Sequence, residues 1–217
     1  MVAPDPIDPR VFRASALGRG RAPVDAWPQP VDAWPQPGSI VALSGGGGAS
    51  CTSLAVAAVV AIQCANGVVA WIQPKHGWLF PPDLAQNGVD LAALVVVHVP
   101  VQRSTAKSTN HALPAAAELL LRSGAFDLLV LDLRPAGPPR GAWVARLQAL
   151  AREHQSRVMV LTDARATADG VGIAQKIEPR RRRDGALFVV EPQLVRDKLP
   201  TADRPRPLRR RGPAGLS

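Results

Sequence analysis

From Gly38 onward the chain alternates between short apolar runs and longer amphipathic or polar stretches. Five runs, Ile40–Leu43, Val68–Ile72, Leu94–Val99, Leu128–Leu133 and Val158–Leu161, are nearly continuous in apolar residues, as strands buried on both faces should be. Between them, spacing and composition predict helices over Thr52–Ala65, near Pro82–Asn87, over Ala115–Ser123 and over Gly141–His154. Gly67 and Gly124 follow two of these helices, where a left-handed cap belongs. Such alternation predicts an α/β fold with a mainly parallel central sheet flanked by helices. After Leu161 the texture changes. Gly172–Glu178, Ala186–Val190 and Gln193–Arg196 read as hairpin-like strands, joined by the charged turn Arg180-Arg181-Arg182-Arg183-Asp184-Gly185. They would extend the sheet with antiparallel strands at one edge.

The two ends differ from this core. Residues 1–37 are rich in proline and hold a perfect tandem heptapeptide, Val24–Pro30 followed by Val31–Pro37, each reading Val-Asp-Ala-Trp-Pro-Gln-Pro. Two copies do not make a solenoid, and the prolines exclude helix and central strand. The segment reads as a duplication in an extended linker, the alternative being a tryptophan-bearing docking segment. Residues 201–217 are rich in proline and arginine and are expected to be a disordered basic tail. The expected division is therefore an extension (1–37), a core domain (38–200) and a tail (201–217).

A length of 217 residues with 47% hydrophobic residues suits one sizeable core plus tails. No apolar run approaches the roughly 18–20 residues of a membrane span, and the first residues lack a signal pattern, so a cytoplasmic protein is expected. Cys51 and Cys64 lie on one predicted helix about 20 Å apart along its axis, beyond disulfide reach. Cys64 is read as a small buried hydrophobe. The four histidines share no ligand spacing with either cysteine, so no metal site of the zinc kind is expected. The net charge of +9 is uneven. Residues 180–217 carry 11 Lys/Arg against 4 Asp/Glu, whereas the preceding 179 carry 15 against 13. That basic end is either a solvated tail or a surface for a polyanion such as DNA, with Arg180, Arg181, Arg182, Arg183, Arg209, Arg210 and Arg211 as the contact candidates.

One segment carries candidate chemistry. The first apolar strand runs into Ser44-Gly45-Gly46-Gly47-Gly48-Ala49-Ser50-Cys51-Thr52, and an apolar helix follows. Strand, glycine loop and helix form the setting of a phosphate-binding loop, in which backbone N–H groups and the helix N-terminus surround an anion. Aligned on G-x-x-x-x-G-K-[ST], Gly45 is the first glycine and Thr52 the metal-side hydroxyl. Ser50 replaces the second glycine and Cys51 replaces the lysine. Asp132, closing Leu128–Asp132, stands where a later strand supplies the acid of the metal shell. No carboxylate follows the second strand, where Gln73-Pro74-Lys75-His76 stands instead. Gly45, Gly46, Gly47, Gly48, Ser50, Cys51, Thr52 and Asp132 thus form a degenerate nucleotide site. Two charges central to phosphoryl transfer are missing independently, so hydrolysis is not expected.

Residues 38–201 resemble the core of bacterial RecA-type recombinases. Gly45–Leu54 falls on the family's phosphate loop, and Leu120–Asp132 resembles its run into the metal-side aspartate. Ala70–His76 with Gly88–Leu91 resembles the segment bearing the family's catalytic glutamate, whose place Lys75 takes. Leu194–Leu199 resembles the segment that projects two basic residues into a neighbouring subunit's site; those would be Arg196 and Lys198. The span between Asp132 and Arg157 is short for the family, and Thr162–Gly172 stands where a long DNA-binding loop belongs. The Pro/Trp segment stands in place of the polymerising N-terminal helix.

Such a reduced relative resembles the ImuA family, accessory proteins of mutagenic translesion synthesis, whose N-terminal signature is echoed in Val11–Leu17. The resemblance implies a RecA-like P-loop fold and a non-catalytic adaptor in the DNA-damage response. It implies a translesion polymerase-like partner and RecA as contacts, with weak sequence-independent DNA binding. Neither ATP nor Mg²⁺ is expected as a resident cofactor, and no membrane as a partner. Two rivals stand beside this reading. One is an active ATPase using backbone glycines and Lys75 as a displaced cation; the other is a cell-division inhibitor of the SulA type.

Overall fold

Strands β1 (Ile40–Gly45), β2 (Val69–Pro74), β3 (Leu94–Val99), β4 (Leu128–Asp132), β5 (Arg157–Asp163), β6 (Gln175–Asp184), β7 (Leu187–Asp197) and β8 (Leu208–Arg211) form one sheet. Their order is β3-β2-β4-β5-β1-β6-β7-β8. Pairing is parallel from β3 through β6 and antiparallel for β6–β7 and β7–β8. The helices are α1 (Gly48–Cys64), α2 (Pro81–Gln86), α3 (Ala112–Arg122) and α4 (Trp143–His154). This is a computed structural model, and it describes residues 34–45, 48–77, 79–100, 111–134, 142–163, 172–185, 187–199 and 205–211. The mixed α/β fold expected from the alternation is present, with its antiparallel strands at one edge.

Two cores lie on opposite faces of the sheet. On one, α1 packs Leu54, Ala55, Ala58 and Val59 against Val41, Leu43, Val69, Trp71 and Met159. α1 is apolar around most of its circumference because the sheet, Trp34 and α2 enclose it. On the other face, α3 and α4 contribute Leu113, Ala117, Leu121, Val144 and Leu147 against Ile40, Ala42, Leu129, Leu131, Val158 and Val160. Strands β1, β2 and β4 are covered on both sides, which explains their unbroken apolar runs.

Several expectations are corrected. β3 is an edge strand, with Val95 and Val96 exposed rather than buried on both faces. Gly67 is not the left-handed cap; Asn66 takes that conformation at φ 61°. Gly67 is needed for space, since a Cβ there would stand 2.5 Å from Ile62 Cγ2. Gly124 does cap α3, at φ +65°. Cys64 is exposed, because it ends α1 beyond the edge of the core. The arginine run is not a turn: Arg180–Arg183 continue β6, and the reversal falls at Gly185, φ +60°, with Asp184 paired to Leu187. Leu208–Arg211, expected in a disordered tail, forms β8 because Leu208 buries beside Val190 in the α1-side core.

The heptapeptide repeat also departs from the linker reading. Trp34, in the second copy, is 3% exposed and sits in the α1-side core. Its indole Nε1 donates to Gln175 Oε1 at 2.9 Å, so the ring is buried with its one polar group satisfied. Arg157 Nε donates to the Pro35 carbonyl at 2.7 Å, and Gly38 N to the Ser156 carbonyl at 2.9 Å. The extension is therefore tied to the domain from Trp34 onward. The first copy, with Trp27, lies outside the described residues, as do Phe12, most of Thr162–Gly172 and residues 201–204.

Trp34→Ala should lower unfolding free energy by about 3–5 kcal/mol, as loss of a buried aromatic does. Because Val24–Pro30 repeats the same seven residues, the clean measurement is urea unfolding of a chain lacking residues 24–30, with and without the substitution. A change below 1 kcal/mol, roughly the size of a surface effect, would mean Trp34 does not belong to the core.

Candidate functional site

The sheet order sets the carboxyl ends of β1, β5 and β4 side by side, with Gly45 level with Asp163 and Asp132 level with Leu161. In open α/β sheets this rim is where ligands bind. The described rim residues are those the sequence indicates. α1 begins at Gly48, four residues before the Thr52 start expected from the sequence, so Gly48, Ala49 and Ser50 are already helical. Gly46 and Gly47, between the two elements, lie outside the described residues. Without a lysine the first turn carries no charge, and Cys51 packs down completely buried, near Gly45 and Pro179 of β6. Ser50 is buried as well.

Asp132 ends β4 and is 0% exposed. A carboxylate so placed needs a cation, and the cation is Arg134, two residues on. Arg134 Nε donates to Asp132 Oδ1 at 2.9 Å and Nη2 to Oδ2 at 2.5 Å, a bidentate clasp, while its backbone N donates to Oδ1 at 3.1 Å. The remaining arm, Nη1, donates to Thr52 Oγ1 at 2.8 Å. One guanidinium thus joins the two side chains that would share a metal in a working site. The Arg134 side chain is 9% exposed and that of Asp132 1%. Burial opposes the guanidinium's charge, but the hydrogen bonds and charge of Asp132 outweigh it, so its pKa is raised. Burial pushes the Cys51 thiol up to about 11, against a smaller pull from Arg134.

A divalent cation between Thr52 and Asp132 would need the lone pairs that Arg134 already uses, and would sit against a like charge. The residues present do not fit a metal there. Lys75 does not replace the missing lysine either. It lies exposed in the turn after β2, its backbone N bonded to the Val99 carbonyl, and β2 is separated from β1 by β4 and β5. Gln73, before it, is buried and turns back to accept from Leu79 N at 3.3 Å. Arg196, near the end of β7, and Lys198, just past it, are exposed; through Lys176 Arg196 is level with Ala42 of β1, three residues before Gly45.

The seven basic contact candidates separate too. Arg180, Arg181, Arg182, Arg183 and Arg209 are exposed, but Arg210 is not a free phosphate contact. Its Nη1 donates to Asn87 Oδ1 at the end of α2, and burial lowers its pKa to about 10. Arg211 pairs with Leu187 in β8. Arg134 was not singled out from sequence, although Asp-Leu-Arg at a strand end was a usable signal. An aspartate closing a fully buried strand, with no loop lysine nearby, calls for a cation from its own flank.

No protein-family model matches the chain. Over 104 residues, 48% of this chain, it is 39% identical to Protein RecA of Nocardioides sp. and 36% identical to Protein RecA of Mycolicibacterium vanbaalenii and of Rhodococcus jostii. The chain spans about 27% of the length of these relatives. With the sheet described above, these similarities support a RecA-like core. Among the described residues no helix is long and apolar enough to cross a membrane.

Two measurements check the site. Arg134→Ala leaves Asp132 buried without its cation and should destabilise by about 3–5 kcal/mol, while Asp132→Leu with Arg134→Met should recover most of that loss. Equal loss in the single and double variants would show the clasp is not a coupled unit. In the native protein at pH 8, a thiol reagent should modify Cys64 rapidly and Cys51 only after denaturation. The folded state holds the Cys51 proton more tightly, so its contribution is intact below the unfolded value of 9.0 and fades as pH rises toward about 11. Modification of both thiols at one rate in the folded protein would contradict this burial.

Proposed function

We propose that this protein is a non-catalytic RecA-like accessory protein of the ImuA type, acting in the cytoplasm as an adaptor in DNA-damage-induced translesion synthesis. The observation that carries the reading is the Arg134 guanidinium shared between Asp132 and Thr52. It neutralises the site from within, where a working enzyme keeps a space for metal and phosphate. The absence of a carboxylate after β2 and of the loop lysine supports it from the sequence side. In this reading the RecA-like sheet is kept as a surface for a translesion polymerase-like partner and for RecA, not as a motor. The exposed position of Arg196 and Lys198 suits contact with another subunit.

The test joins biochemistry and genetics. Purified protein should show no Mg²⁺-dependent ATP turnover, and Cys51→Lys alone should not create it. In a strain lacking the gene, damage-induced mutagenesis should be restored by wild type and equally by the folded Asp132→Leu/Arg134→Met variant. Turnover by wild type that Asp132→Ala abolishes would favour the ATPase reading instead. Division arrest on overproduction without any effect on mutagenesis would favour the SulA-type inhibitor.

A further inference from the structure

The arginine run of β6 is divided by the two-residue period of the strand, and the two halves meet different surroundings. Ile177 of β6, Val190 of β7 and Leu208 of β8 belong to the α1-side core, which fixes that face of the hairpin. By register, Arg181 shares this face with Val190 and Leu208, and Arg183 shares it with Phe188 and Arg210. All three arginines are engaged there. The Arg181 guanidinium lies 4.9 Å from the Phe188 ring centroid, a cation–π distance. Arg183 Nε donates to the Gly185 carbonyl at 2.9 Å, and Arg210 is held against Asn87.

The opposite face is different. It carries Arg180, paired in register with Glu191, and Arg182, paired with Val189 and through it with Arg209. Farther down the same face Arg196 pairs with Lys176. None of the β6–β8 residues belongs to the core beneath α3 and α4, although Val189, on this face between Arg182 and Arg209, is itself buried at 2% exposure. Arg182 is partly neutralised, with Nε donating to Glu191 at 2.7 Å and Nη1 standing 3.6 Å from Asp184. Among the described residues, Arg180, Arg196 and Arg209 have no ion-pair partner, and all three are exposed. Strand geometry spaces Arg180 and Arg182 about 6.7 Å apart and sets Arg182 and Arg209 about 9.6 Å apart across β7.

We infer that this face of β6–β8, through Arg180, Arg209 and Arg196 with Arg182 beside them, is a docking surface for the phosphodiester backbone of duplex DNA. Guanidiniums spaced along one sheet face suit a ligand with one charge per about 1.7 Å of axis. The only aromatic residue of the hairpin, Phe188, faces the other way under Arg181. With no ring to stack on, unpaired bases gain nothing there, which favours duplex over single strand. The inference narrows the DNA contact of the adaptor reading to one sheet face, and it stands on charge and register alone.

The test uses the full chain and a short labelled duplex, with affinity measured by fluorescence anisotropy between about 50 and 200 mM salt. Arg180→Gln/Arg209→Gln and Arg181→Gln/Arg183→Gln each remove two charges, so a pure net-charge effect is the same in both. The first pair should flatten the log–log salt slope by about 1.8, from roughly 0.9 per lost phosphate contact, and the second by less than half of that. Arg180→Lys/Arg209→Lys keeps both charges, guards against misfolding of the first pair, and should retain the slope. Equal flattening by the two Gln pairs, or none by the outer pair, overturns the assignment of the face. Tighter binding of a single strand of equal length overturns the choice of duplex. Displacement of the duplex by polyglutamate at equal charge would mark the surface as a site for acidic protein instead. ATP turnover and mutagenesis assays are untouched by any of these results, so the adaptor reading and this one fail separately.

Discussion

A fully buried carboxylate at the end of a central strand dictates much of this molecule's chemistry. Asp132 cannot be left without a partner, since an isolated buried charge is among the most expensive things a fold can contain. In a nucleotide enzyme the compensating charge arrives with the ligand. Here it comes from Arg134, whose planar fork matches the carboxylate with two donors and still has one to offer Thr52. The clasp ties the end of β4 to the first turns of α1, across β5 and β1. Around it the rest follows: Cys51 can be buried as a neutral thiol and Pro179 can pack close by. A lysine at position 51 would bring a second cation toward Arg134 in a place with little solvent. The substitution at the loop and the arginine after β4 are therefore one physical arrangement.

The central sheet was legible because burial on both faces writes unbroken apolar runs, and β1, β2, β4 and β5 have them. β3 was read the same way and is an edge. Val95 and Val96 are apolar, yet composition carries no mark of which neighbour is absent. The C-terminal hairpin was legible in kind but not in register. Four successive arginines look like a solvated turn, and only pairing with a strand as apolar as Phe188–Val190 makes them a strand. Leu208 and Trp34 were missed for one shared reason. Each is a single large apolar residue inside a proline-rich or arginine-rich stretch, and no periodicity surrounds it. What fixes them is a contact distant in sequence, Val190 for one and Gln175 for the other.

At the site, identity was readable and geometry was not. The glycine loop, Thr52 and Asp132 were found because a strand, a loop and a helix fix their relation. That α1 starts at Gly48 is not given by a motif alignment, which fixes residue identities and not where the helix begins. Lys75 is a cation near a strand end, but the sheet order sets two strands between β2 and β1. Sequence proximity to a strand end is a poor guide to which rim position a side chain occupies.

Trp34 and the β8 strand lie on the same side of the sheet, and this links the first and last described segments to the core. Trp34 and Leu208 both belong to the α1-side cluster, and Gln175, whose Oε1 accepts the indole hydrogen bond, also donates from Nε2 to Asp197 at 3.4 Å at the far end of β7. The antiparallel edge is therefore held by Trp34 and Leu208 on the face away from Arg180 and Arg209. That division matters for any surface function of the hairpin. The α1-facing side carries Trp34, Leu208, Phe188 and the engaged arginines, whereas the other side carries its charges around a single buried residue, Val189. A strand whose two faces are specialised in this way can give up its outer charges with little effect on stability, whereas loss of an inner residue would be felt by the core.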